Sequence, residues 1–132
     1  MANKYQSIEN GKIKNDRKID IHDRIYKFVI RVINFTKEVP KTPQNLPIID
    51  QLIRSVTSIG ANDQEADGAL TRRDFVHCYV VVRKEAKETN YWLAVIADTN
   101  PGLTPRMVEL RQEGKEIAKI VSSIIISSKK KK

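Results

Sequence analysis

Few side chains in this sequence have the types and spacing that metal chemistry requires. The histidines are His22 and His77, and Asp74 stands three residues before His77. That spacing places two ligands on one face of a helix, but a dinuclear metal site in a helical bundle needs two Glu-x-x-His motifs and two further carboxylates. The sequence has no such motif, so we predict no metal and no other cofactor.

The candidate nucleophile is equally isolated. Cys78 is the one cysteine, which excludes an intramolecular disulfide and fits a reducing compartment. Its neighbours along the chain do not make a Cys-His-Asn arrangement, because such partners must converge in space. The glycines Gly60, Gly68 and Gly102 form no phosphate-binding loop. We predict no catalytic residue and interpret the protein as not an enzyme.

Basic residues are the remaining candidates for binding chemistry. The formal net charge is +8, and half of it lies in the terminal run of lysines. Such a tail can bind nucleic acid by counterion release, but it can equally be a solvated, frayed terminus. The stretch from Arg72 to Glu88, predicted to be helical, also has a basic character, but acidic residues interrupt it. Contact with phosphate and an ordinary solvated face therefore both stay open for this stretch. The candidate nucleic-acid contacts are Lys129, Lys130, Lys131, Lys132, Arg72, Arg73, Arg83, Lys84 and Lys87.

Four helices are predicted to position these residues. Apolar residues from Ile21 to Thr36 repeat at steps of three and four, and Pro40 and Pro43 end that helix. A second helix is predicted from Asn45, as its N-cap, to about Asp67, with Gly68 as C-cap. Thr71 begins a third with a capping-box-like start, and Thr104-Pro105 begins a fourth that ends near Ser128.

The connections between these helices are short, which favours an all-α, antiparallel up-down four-helix bundle. The third helix has a strict seven-residue apolar repeat from Phe75 to Ile96, typical of long helices packed at a shallow angle. We predict a flexible polar arm at residues 1–20, the bundle at residues 21–128 and a basic tail at residues 129–132. No apolar run has the length of a signal peptide core or a membrane span, so we expect a cytoplasmic protein that does not contact a membrane.

A stripe of polar residues runs along the second predicted helix, beside the apolar face of that helix. Its members are short or hydrogen-bonding side chains at helical spacing, which indicates contact with another helix or another subunit rather than a solvated surface. Arg54 is expected to bridge to Glu85 or Glu88 on the third helix, and the alternative is an anion site at Arg54. Trp92 could stack on bases but is expected to pack in the core or an interface. The candidate interface residues are Gln51, Arg54, Ser55, Ser58, Asn62, Glu65, Glu85, Glu88 and Trp92.

Two separated motifs resemble a known bacterial family, that of the 23S rRNA-intervening-sequence proteins. The first motif is Gln51-Leu52-x-Arg54-Ser55-x-x-Ser58-Ile59-x-Ala61-Asn62-x-x-Glu65-Ala66. The second is Asp74-Phe75 followed by Lys84-Glu85-Ala86-x-Glu88-Thr89-x-Tyr91-Trp92-Leu93. The resemblance covers residues 21 to about 125. Asp63 departs from the family pattern, in which an apolar residue is usual, and this leaves open how the second helix packs there.

The resemblance implies a four-helix bundle that assembles as a homo-oligomer, a ring of five subunits, with no established enzymatic activity. A similar, distant bundle assists reverse transcriptases and contacts nucleic acid. We therefore interpret the protein as a non-enzymatic oligomeric scaffold that associates with RNA or a nucleic-acid-handling protein. The alternative is a protein–protein adaptor with no nucleic-acid contact.

Overall fold

The computed structural model describes the backbone of residues 6–9, 12–15 and 17–130, and the side chains of residues 21–130. Four long helices dominate this part of the chain, with a short 3-10 helix, Pro101–Leu103, ahead of the last one. The prediction of an all-α, antiparallel four-helix bundle is confirmed. The helices are α1 (Arg17–Thr36), α2 (Asn45–Asp67), α3 (Arg72–Thr99) and α4 (Thr104–Lys130).

A small hairpin precedes the bundle and was not predicted. The strands β1 (Gln6–Glu9) and β2 (Lys12–Asn15) pair antiparallel. The sequence between them is Asn10-Gly11, a dipeptide typical of two-residue hairpin connections, and this signal was overlooked because the strands are polar and short. α1 begins at Arg17, inside the predicted arm. Whether residues 1–20 are flexible stays a prediction.

The helix ends follow local capping, with one correction. Thr71 Oγ1 accepts a hydrogen bond of 3.1 Å from the Asp74 amide, which caps α3 as predicted. Asn45, the predicted N-cap of α2, is instead inside the helix and buried. Its side-chain amide donates to the Pro40 carbonyl and to Asn100 Oδ1, at 3.0 Å each. Asn45 therefore links the start of α2 to the residue that follows α3, through the hydrogen bonds between the Asn45 and Asn100 side chains.

Each helix packs against the next along the chain, and α1 also packs against α4 and closes the bundle. The apolar repeat of α3 lies in the core from Tyr79 to Ile96, while Phe75 is half-buried at its start. α4 continues to Lys130, two residues beyond the predicted end. None of the helices in the part of the chain described above is both long and apolar enough to cross a membrane.

Candidate functional site

A buried carboxylate joins three helices at one point of the core. Asp63 on α2 is 1% exposed. His22 Nδ1 on α1 lies 2.8 and 2.9 Å from its two oxygens, and the Tyr79 hydroxyl on α3 donates to Oδ1 at 2.8 Å. Because Asp63 accepts from Nδ1, that nitrogen carries a proton. The packing left open by the sequence is thus settled, since Asp63 points into the bundle and is satisfied there by two donors.

This cluster has the beginnings of an acid–base site. A carboxylate can hold an imidazole in one tautomer, and His22 Nε2 lies 3.9 Å from Asp67 Oδ1. Above the cluster, a groove of about 570 Å³ between α1 and α2 is lined in part by Tyr26, Val29 and Gly60. Catalysis would also need an activated nucleophile and donors for developing charge, and none of these is evident around the groove in the described part of the chain.

The other chemical candidates from the sequence do not assemble into a site. Cys78 is buried, and burial raises the pKa of its thiol, which disfavours the thiolate needed for nucleophilic attack. Asp74 and His77 are both exposed at the start of α3. Across the described residues, no three or more His, Cys, Asp or Glu side chains are grouped so that they could hold a metal ion.

The polar stripe of α2 divides between the core and the surface. Ser55 is 1% exposed and accepts a hydrogen bond of 2.8 Å from the Thr89 hydroxyl of α3. Asn62 is half-buried and donates to the carbonyl and hydroxyl oxygens of Ser58 within the same helix. Glu65 is exposed. Ser55 therefore serves helix packing within the subunit, whereas the rest of the stripe is accessible to a partner.

The expected bridge from Arg54 to α3 is absent, and that prediction was wrong. Arg54 is exposed, and its guanidinium donates to Gln51 Oε1 on the preceding turn at 3.0 Å. The reason is the helical position, because Ser55 rather than Arg54 faces α3. Glu85 and Glu88 are half-buried, and no ion pair found among residues 21–130 involves either of them.

Trp92 is half-buried on α3, four residues after Glu88. Its indole ring meets the ring of Tyr91 edge to face, with centroids 4.9 Å apart. The indole Nε1 is buried, and no hydrogen-bond acceptor for it is present among the described residues. The ring therefore packs against the bundle, in line with the packing interpretation from the sequence, although its role as an interface residue stays a prediction.

The basic candidates fall into two groups. Arg72 and Arg73 at the start of α3 and Lys129 and Lys130 at the end of α4 share one end of the bundle, because the two helices are antiparallel. Lys131 and Lys132 lie outside the described residues.

The second group lies on the body of α3. Lys84 and Lys87 are exposed, and Arg83 is half-buried. Lys84 stands four residues before Glu88 and lies on the same face of α3. Arg83 is rotated from Lys84 by roughly 100° around the helix, so it faces a different side.

Two sets of interactions between the helices were not predicted from the sequence: the ion pairs of Arg24 and the hydrogen bonds of Asp63. Arg24 on α1 donates to both oxygens of Glu113 on α4, at 2.6 and 3.0 Å, and to Glu116 at 3.1 Å. The hydrogen bond to Glu113 raises the pKa of Arg24. No spacing along the chain signals this pair. The sequence marked Asp63 only as a departure from the family pattern, although its position four residues after Ile59 and three before Ala66 could have indicated that it is buried.

Comparison with known proteins adds a family and a related fold. The sequence model of the family described as 23S rRNA-intervening sequence protein matches residues 17–123. Among solved structures, the chain is similar to a protein of unknown function from the S23 ribosomal protein family of Bacteroides thetaiotaomicron VPI-5482.

That similarity has a TM-score of 0.73 and 33% identity, and it covers 80% of this chain and 97% of the other. No curated protein matches. Neither the family nor the neighbour indicates a catalytic activity. Because the family model spans most of the sequence, the chain belongs to the 23S rRNA-intervening sequence protein family.

Proposed function

We propose that this protein is a non-enzymatic, self-associating helical scaffold that binds RNA through the basic end of its bundle. The observation that carries the proposal is that Arg72 and Arg73 lie at the same end of the bundle as Lys129 and Lys130. Clustered cations release counterions from a phosphate backbone on binding, and this gives affinity without base recognition. The proposed partner is therefore structured RNA, or RNA in complex with a protein that handles it.

Self-association would strengthen this binding. Tyr26 and Ile30 on α1 are 65% and 42% exposed, and half-buried Val29 and Ile33 lie beside them. An apolar strip of this kind is typical of a contact surface. A ring of five subunits, as the family resemblance implies, would bring several basic ends together, and multivalent contact would raise the avidity for one RNA.

The experiment is a salt series of binding to a structured RNA. Full-length protein is compared with a variant in which Lys129–Lys132 are all replaced by glutamine, which keeps the chain length. We expect a Kd on the order of 1 µM at low salt that weakens steeply as salt rises, and weaker binding by the variant. Wild-type protein that fails to bind RNA at low salt would overturn the proposal.

Self-association is tested separately by light scattering. The monomer mass is 15.1 kDa. A particle of that mass at a protein concentration on the order of tens of micromolar, where weak association is detectable, would overturn the proposal of self-association. A multiple of that mass would support it. A variant with Tyr26→Ser and Ile30→Ser should lower the mass if the α1 strip is the contact.

The second candidate is a protein–protein adaptor with no nucleic-acid contact. The same exposed apolar strip on α1 favours it, since such a surface binds protein rather than phosphate. An assembly of several subunits with no RNA binding at any salt concentration would select the adaptor over the RNA scaffold.

A further inference from the structure

Two basic residues of α3, Arg83 and Lys87, lie on the side of that helix opposite Glu85. Thr89 faces α2, because its hydroxyl bonds to Ser55, and Glu85 precedes Thr89 by one helical turn. Arg83 and Lys87 each stand two residues from Glu85, a rotation of roughly 200° around the helix. These two basic side chains therefore point away from α2.

That opposite side of α3 borders α4. Asn90 Oδ1 lies where a Cβ on Gly114 of α4 would be, so Asn90 faces α4. Arg83 precedes Asn90 by seven residues and Lys87 precedes it by three, which places both on the same side of the helix. The half-buried Arg83 and the exposed Lys87 thus stand beside the α3–α4 boundary.

α4 shows the same separation of charge. Glu113 and Glu116 face α1, because Arg24 bonds to both. Arg111 and Lys115 each stand two residues from Glu113, so they point away from α1 and toward the α3 side. Lys119 follows Lys115 by four residues and continues the row.

We propose that Arg83, Lys87, Arg111, Lys115 and Lys119, here named the seam face, bind the phosphate backbone of double-helical RNA along the α3–α4 boundary. No ion pair found among residues 21–130 involves any of the five. Glu85 is on the α2 side of α3, and Glu113 and Glu116 are held by Arg24 on the α1 side. Lys119 also interacts with Glu116, whose pKa its charge helps to lower, and the charges of the other four residues are left for an external anion.

The geometry favours a phosphate backbone over unpaired bases. Residues four apart on a helix stand roughly 6 Å apart along its axis, so each helix offers a regular row of cations. One exposed ring, Tyr91, follows Lys87 by four residues, whereas single-strand binders stack successive bases on several rings. Double-helical RNA is recognised largely by shape and backbone, which rows of lysine and arginine suit.

This inference rests on the proposed function and adds a second RNA contact, along the side of the bundle, to the contact at its end. The basic end then extends the seam face, since α4 continues from Lys119 to Lys130. The two surfaces can be tested separately, because they share no residue.

The test uses full-length protein and an RNA duplex of about 20 base pairs, long enough to span a small domain. The seam variant carries Arg111→Gln, Lys115→Gln and Lys119→Gln. A matched control carries Arg31→Gln, Lys37→Gln and Arg54→Gln, which removes the same number of charges from exposed positions on α1, the loop after it and α2. The tail variant is the glutamine replacement of Lys129–Lys132. Binding is followed by fluorescence anisotropy across a salt series, and circular dichroism checks that each variant is folded.

We expect the seam variant to bind at least about tenfold more weakly, with a log–log salt dependence shallower by about three, one for each lost phosphate contact. The matched control should bind nearly as the wild type does. A seam variant that binds like the wild type, while the tail variant fails, would overturn the seam face and leave the proposed function standing. Equal weakening of the seam variant and its control would show an effect of net charge alone and would also overturn it. Wild-type protein that binds no RNA would remove both proposals.

Discussion

The Tyr79 hydroxyl on α3 lies 2.8 Å from Asp63 Oδ1 on α2, and both residues are 1% exposed. His22 of α1 completes the group from the other side. A buried charge without partners costs far more than a buried apolar side chain gains. The three residues therefore act as one unit, and removing any one leaves a hydrogen-bonding group of the others without its partner.

Replacing Tyr79 by phenylalanine tests the hydroxyl of this unit. Tyr79→Phe keeps the ring in the core but removes one donor from the buried carboxylate, which should lower the free energy of unfolding by about 1–3 kcal/mol. Urea denaturation measures the loss. Tyr91→Phe is the control, because Tyr91 is 59% exposed, and it should change stability by less than about 0.5 kcal/mol. Equal stabilities of the two variants would contradict the prediction.

The same tyrosine should make the protein sensitive to alkali. Burial, and then the neighbouring charge of Asp63, raise the pKa of Tyr79 in the folded protein. In the unfolded chain the group ionises near its ordinary pKa of about 10. Above that pH the unfolded state holds fewer protons at this position than the folded state does, so its contribution to stability falls by about 1.4 kcal/mol per pH unit.

Phenolate absorbance and far-ultraviolet circular dichroism, followed together, check this dependence. The wild-type protein should show a phenolate that appears as the helices unfold, and Tyr79→Phe should lack it. The variant should also lose stability less steeply above about pH 10, where an ordinary tyrosine ionises. A Tyr79 phenolate that forms while the bundle is intact would refute the assignment.

Gly114 permits the close approach of α4 to α3 and α1. A Cβ there would collide with Asn90 Oδ1 and stand 3.1 Å from Phe28 Cζ. Alanine favours a helix over glycine by about 1 kcal/mol, but overpacking a filled core costs about 1–3 kcal/mol. We expect a net loss of stability for Gly114→Ala in thermal and urea unfolding.

A double-mutant cycle with Asn90→Ala shows where the loss arises. Asn90 Oδ1 is buried and has no donor among the described residues, so its removal should cost little, and Gly114→Ala should be milder in that background. Gly102→Ala is the control, since nothing lies within 4 Å of a Cβ there. Identical effects of Gly114→Ala in both backgrounds would exclude Asn90 as the obstacle.

Arg54→Leu should leave stability within about 0.5 kcal/mol of the wild type. Arg54 is exposed and bonds to Gln51 on its own helix, and such pairs on a helix surface contribute about 0.2–0.5 kcal/mol. The measurement is urea denaturation at neutral pH. A loss of several kcal/mol would instead indicate a buried pair with Glu85 or Glu88, the arrangement expected from the sequence.

Arg24→Leu should be more harmful than Arg54→Leu. Arg24 and Glu113 are 26% and 20% exposed at their side chains, and loss of their paired hydrogen bonds should cost about 1–3 kcal/mol near neutral pH. Hydrogen bonds from Gln112 and then from Arg24 lower the pKa of Glu116. A lowered folded pKa stabilises the protein above the unfolded pKa, and this contribution disappears as the pH falls through the folded value.

The deficit of Arg24→Leu should therefore shrink in acid. Urea denaturation near pH 7 and at about pH 3, below the ordinary glutamate pKa, gives the two values to compare. A deficit of the same size at both would show that the arginine acts through packing of its stem rather than through its interaction with Glu116.

Repeats at three and four residues and the prolines were enough to predict the helices and their order, because burial of one apolar face dominates helix placement. Contacts between distant helices were not predictable in the same way. Whether Arg54 or Ser55 meets α3 depends on a rotation of about 100°, which the apolar pattern does not define. The pairing of Arg24 with Glu113 depends on the closure of α1 against α4, a relationship with no local signature.

The candidate basic surface shows a similar division. The lysine run and Arg72 and Arg73 were visible as charge along the sequence, and the antiparallel order was enough to bring them to one end. Lys84 and Arg83 are adjacent in the sequence yet face different sides, so a count of charges along α3 did not show that Arg83 and Lys87 lie opposite Glu85. Arg111, Lys115 and Lys119 were overlooked because Glu113 and Glu116 alternate with them.

The unit of His22, Asp63 and Tyr79 also constrains the order in which these residues can be exchanged over evolutionary time. A chain that gained Asp63 first would bury a carboxylate with no donor, whereas one that first gained His22 and Tyr79 would leave only an uncharged hydroxyl without its acceptor in the core, which costs less than an unpaired buried charge. When these residues are lost, the same argument requires Asp63 to be replaced before His22 and Tyr79. Substitutions at these three positions should therefore be contingent on one another, so that Asp63 is found in lineages that already carry both partners.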